Sequence, residues 1–75
     1  MEIKEFIEKF ADAIEVDASE LSQETEFRQL DAWDSLSYLS VIAMMDEEYD
    51  CLIETTDFKN IKTISALVEY IEAHK

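Results

Sequence analysis

The chain has 75 residues, 19 acidic against six basic, and a formal net charge of −13. That length means one domain, residues 1–75, burying only about 60–65% of the surface its unfolded chain exposes. The charge excludes nucleic acid, which wants Lys and Arg patches, disfavours anionic membranes, and favours partners with basic docking patches.

Residues 2–15 read as a helix, because Ile3, Phe6, Ile7, Phe10 and Ile14 recur at spacings of three and four with charges on the other face. Glu5 and Lys9 form an i,i+4 pair of favourable orientation. Residues 16–34 break the rhythm with the turn and cap formers Asp17, Ser19, Ser22, Gln23, Thr25 and Asp31. The expectation is a long ordered loop with one turn at 19–22, pinned to the core by Leu21, Phe27 and Leu30.

A second helix spans 35–49, with Tyr38, Val41, Ile42, Met45 and Tyr49 as its core stripe. Leu36, Leu39 and Ala43 fall on an adjacent face, so a neighbouring segment or a partner must cover them. Asp46, Glu47, Glu48 and Asp50 crowd its C-terminal end, where negative charge opposes the helix dipole. Cys51-Leu52-Ile53 is a brief apolar strip, with Cys51 a semi-buried small hydrophobe rather than a redox thiol. Thr55-Thr56-Asp57 opens a short helix around 56–60. The last helix starts near Thr63, turns Ile64, Leu67, Val68 and Ile71 inward, and ends on Lys75 at the cation-favouring terminus. The fold class expected is all-α: a small antiparallel four-helix bundle, three main helices and one short, with a long loop between the first and second.

The parts of an enzyme are missing from this reading. His74 is the only histidine and sits in a frayed tail. No His and Cys metal cluster, no glycine for a calcium or phosphate loop, and no Ser-His-acid set can be assembled. A lone cysteine and the lack of an apolar run near 18 residues or a signal-peptide pattern make a cytoplasmic location the default, with no membrane insertion. The one pointed feature is Trp33-Asp34-Ser35-Leu36, where the acidic loop runs into the second helix. Ser35 either caps that helix or is held out as an attachment point.

The Asp34-Ser35-Leu36 motif at mid-chain, the acidic stretch Asp46 to Asp50, the Thr63-initiated last helix and the closing Tyr70 to His74 together resemble the stand-alone acyl carrier protein family over essentially the whole chain. The resemblance implies 4′-phosphopantetheine on Ser35, added by a phosphopantetheinyl transferase. It implies acyl groups carried as thioesters to acyl-loading and condensing enzymes of a fatty-acid-like, polyketide-like or other dedicated pathway. It implies a docking face whose apolar part is Leu36, Leu39, Ala43 and Met44, whose anionic part is Asp34, Asp46 and Glu47, and which includes Ser40. The protein would be a monomer without catalysis of its own. The fatty-acid-synthesis pattern usually has Gly-Ala before the motif and acids two and five residues after the serine; here stand Ala32-Trp33, Ser37 and Ser40, so two carboxylates are missing from the middle of that face. Trp33 either packs over the loop or meets partners. Tyr38, Met44 and Met45 suit either a chain-binding cavity or plain core. The competing reading is a non-enzymatic acidic adaptor that binds a basic partner through helix 35–49, with Ser35 only a cap.

Overall fold

The computed structural model describes residues 2–74. α1 runs Ile3–Ile14, α2 Ser35–Tyr49, α3 Thr55–Asn60 and α4 Ile64–Ala73. The bundle is all-helical as expected, with no strand among the described residues and one isolated antiparallel bridge, Glu26 to Thr63. Lys75, expected to complement the α4 dipole, lies outside the described residues.

α1 turns Phe6, Phe10, Ala11 and Ile14 into the core and leaves Ile3 and Ile7 half-buried. Phe6, Phe10 and Phe27 lose all solvent contact; burying one such ring contributes about 1.5–3 kcal/mol. α1 ends with Glu15 in the left-handed region, φ 59°. The Val16 amide then reaches back to Ala11 O at 3.0 Å and the Glu15 amide to Asp12 O at 3.3 Å, a Schellman closure without glycine.

The long loop is ordered by its own chemistry. It holds two 3₁₀ turns, Ala18–Glu20 and Phe27–Gln29, where one turn was expected. Asp17 opens the first: its carboxylate accepts from the Ser19 amide at 3.0 Å, and Glu20 accepts from the Asp17 amide at 3.3 Å. Leu21 and Phe27 are buried and Leu30 half-buried, as the wide apolar spacing predicted. Loop carbonyls also finish α4. Gln23 O accepts from the Ser65 amide at 2.9 Å and Thr25 O from the Ile64 amide at 3.3 Å. Thr63 caps the same helix by accepting from the Ala66 amide at 3.2 Å. Three donors that a helix start leaves orphaned thus find partners.

α2 has the expected bounds and the expected stripe against the core, and its interior also takes in Ser37 and Met44. Ser37, Val41, Met44 and Met45 are its buried residues, while Tyr38, Ile42 and Tyr49 are half-buried. Met44 was expected on the docking face; it is only 9% exposed and belongs to the buried core cluster, at the floor of a groove that Lys9, Asp12 and Ala13 of α1 also line. Ser37 is likewise buried, with its hydroxyl donated to Ala32 O at 2.9 Å. Position 37 therefore faces the loop, and no carboxylate is missing from the exposed face there. The acidic end of α2 is partly neutralised: Glu48 accepts from Lys9 Nζ at 2.8 Å, a closer partner than Glu5 at 3.8 Å.

The segment after α2 buries Cys51 and Ile53 but turns Leu52 out to solvent. α3 starts one residue before the expected position and has no side-chain cap; Glu54 precedes it. Arg28 closes its far end. The guanidinium lies over the Phe27 and Phe58 rings and donates to the carbonyls of Phe58 and Ile61. His74, expected to fray, instead stacks on Tyr70 at 4.0 Å, with its Nδ1 2.8 Å from Tyr70 O.

Candidate functional site

The start of α2 separates two duties between neighbours. Asp34 is the N-cap: its Oδ1 accepts from the Ser37 amide at 2.8 Å. That bond, the largest cause, holds the Asp34 carboxyl below the usual carboxylate range. Ser35 is the first helical residue, exposed, and among the described residues nothing hydrogen-bonds its hydroxyl. The reading of Ser35 as the cap, which the adaptor alternative gave it, therefore fails.

The floor beneath this corner is aromatic. The Trp33 indole is half-buried, near-parallel to Phe10 and Phe58 with centroids 6.2 Å away in each case, and tilted against Phe27 at 5.0 Å. Tyr38 meets Phe58 edge-on at 5.0 Å, and its hydroxyl lies 3.3 Å from Thr55 Oγ1. Trp33 thus packs over the loop, and this cluster fixes the approach of the chain to Ser35. Its partners Phe10 and Phe58 are distant in sequence, so no local pattern could announce it.

Beside the helix start, an open groove of about 560 Å³ runs between α1 and α2. Asp12, Glu15 and Asp34 line it, and among the described residues no Lys or Arg does. Down α2, Leu36 and Leu39 stay 73% and 58% exposed, and Ser40, Ala43, Asp46 and Glu47 are exposed beside them. Among the residues expected on the docking face, only Met44 is withdrawn from the surface. Among the described residues, no group of His, Cys, Asp and Glu could hold a metal ion, and no helix is long and apolar enough to cross a membrane. Burial raises the Cys51 thiol above its ordinary pKa, which suits a packed side chain rather than a reactive one.

A small all-helical bundle presenting a serine with no partner among the described residues, at the mouth of an acidic helix, fits a carrier domain. The comparisons agree. Residues 4–71 match the family model for the phosphopantetheine attachment site. An acyl carrier protein of Streptococcus thermophilus is 43% identical over 56 residues, covering 75% of this chain and 72% of its own. One from Lactococcus lactis is 34% identical over 64 residues, covering 85% and 84%. One from Clostridium acetobutylicum is 30% identical over 64 residues, covering 85% and 83%. The chain belongs to the acyl carrier protein family and contains a phosphopantetheine attachment domain.

Proposed function

We propose that Ser35 is the attachment residue and that residues 1–75 act as a single, monomeric, cytoplasmic carrier domain with no catalysis of its own. The observation that carries this reading is the exposed Ser35 hydroxyl, without a partner among the described residues because Asp34 takes over the capping. The residues suit the group. A phosphodiester on Ser35 Oγ would lie at the first turn of α2, where helix N–H groups favour negative charge. In the loading reaction the Ser35 oxygen forms a bond to phosphorus. The pyrophosphate bond of coenzyme A breaks, the nucleotide half leaves, and the hydroxyl proton passes to a base on the phosphopantetheinyl transferase. When bound, the group supplies a thiol that holds acyl cargo as a thioester, and tethering raises the cargo's effective concentration at partner sites.

Acyl carrier proteins work with biosynthetic enzymes. For this chain the partners are the transferase and the acyl-loading and condensing enzymes of a fatty-acid-like, polyketide-like or other dedicated pathway. They meet Leu36, Leu39, Ser40 and Ala43, with Asp34, Asp46 and Glu47 facing their basic patches. Those side chains are exposed on or beside one helix, and opposite charge speeds encounter and selects the partner. Intact mass after incubation with coenzyme A and a phosphopantetheinyl transferase tests the assignment. The wild type should gain one phosphopantetheine and Ser35→Ala none. An equal gain in Ser35→Ala, or no gain in either, overturns it.

A further inference from the structure

We infer that Trp33 is a positioning residue for the attached group, its indole N–H donating to a phosphodiester oxygen on Ser35. The inference rests on Ser35 being the anchor. Position 33 lies two residues before it, no more than about 7 Å from Cα to Cα. A phosphodiester there carries a negative charge into acidic surroundings. Asp34 is adjacent, and the groove on the α1 side adds Asp12 and Glu15 with no cation to offset them. Like charges therefore disfavour that side.

On the aromatic side the donors differ. The Tyr38 hydroxyl is already within reach of Thr55 Oγ1. The Ser37 amide is taken by Asp34 and the Tyr38 amide by Asp34 O. The Trp33 indole N–H has no protein acceptor among the described residues and is not sealed from solvent. Three aromatic neighbours hold its ring plane, so the N–H direction is set before any ligand arrives. A hydrogen bond to an ionised oxygen is roughly twice as strong as a neutral one, and a preset donor loses little freedom in making it. The same N–H has no such role in a sequence with alanine at this position.

Trp33 is the only tryptophan, so its indole N–H gives a single cross-peak in ¹⁵N-labelled protein. Apo and holo forms are compared after conversion with coenzyme A and a transferase, with intact mass certifying the attachment. In the holo form the indole proton should move downfield and exchange with water about tenfold more slowly, the protection a charge-assisted hydrogen bond gives. Ser35→Ala, treated identically, should keep the apo peak. Holo Trp33→Phe, which keeps a ring but lacks the donor, should shift the ³¹P resonance from its wild-type position. A mass gain with an unmoved indole peak and unchanged exchange overturns the inference and leaves Ser35 as anchor. So does a ³¹P resonance identical in Trp33→Phe and wild type. No mass gain in the wild type removes the anchor and the inference together.

Discussion

The Asp34 carboxylate is ionised where it is most useful, one residue before α2 and 2.8 Å from an amide that the helix cannot satisfy itself. Its lowered pKa fixes the sign of its pH effect. An unfolded Asp titrates near 3.9, so the cap contributes its full ionic stabilisation above that pH and loses it as pH falls through the lower folded value. Asp34→Asn retains a capping oxygen and does not titrate. The difference in melting temperature between wild type and Asp34→Asn should therefore hold from pH 7 to pH 5 and shrink below pH 4. An undiminished difference at pH 2 would exclude the ionised cap as its source. Ser35→Ala belongs beside these variants: it should melt close to wild type, since no capping bond depends on its oxygen.

The elements show what it costs to build four helices with no glycine. Both α1 and α2 end on a residue with positive φ, Glu15 at 59° and Asp50 at 51°. A side chain with a Cβ loses about 1–2 kcal/mol in that region, less when it is Asp. Glycine removes the clash but brings more freedom to the unfolded chain, worth up to about 1 kcal/mol. Glu15→Gly should then stabilise by about 0.5–1 kcal/mol in urea unfolding, and Asp50→Gly by less. A destabilised Glu15→Gly would mean that the Glu15 side chain holds the corner. The bounds of both helices were legible to within a residue, but their left-handed closures were not, because such a closure is usually signalled by glycine. What periodicity did reveal was α1, α4 and the pinned loop, where one apolar face meets one core. In α2 it revealed the stripe but not the whole interior, because that helix is apolar on several sides: Val41 and Met45 are buried and Tyr38, Ile42 and Tyr49 pack half-buried on the core as expected, while Ser37 and Met44 join them unannounced. The site divided in the same way. The leucines of α2 were readable from local spacing, and Ser35 stood out as either a cap or an attachment point, whereas the assignment of the cap to Asp34, the Trp33 stack and the Arg28 clamp on α3 depend on three-dimensional partners.

At the scale of the molecule, self-repulsion outweighs any single charge pair. A formal charge of −13 sits on a body of 28 × 25 × 20 Å. At 0.01 M salt the Debye length is about 30 Å, so every carboxylate feels every other; at 0.1 M it is about 10 Å and opposite sides are screened. Unfolding relieves the repulsion by spreading the charges, so screening should favour the folded chain. The opposing effect is small, because the Lys9–Glu48 pair that salt would weaken is solvent-exposed. Raising sodium chloride from 0.01 to 0.15 M should lift the melting temperature by about 5 °C, the size of shift that about 1 kcal/mol produces in a domain of this length. Neutralising Asp46 and Glu47 as Asp46→Asn and Glu47→Gln, at the end of α2 where their charge also opposes the helix dipole, should raise the melting temperature at 0.01 M. The gain should fade at 0.15 M. A melting temperature flat across salt would mean that local pairing, not the summed field, governs the stability of this chain.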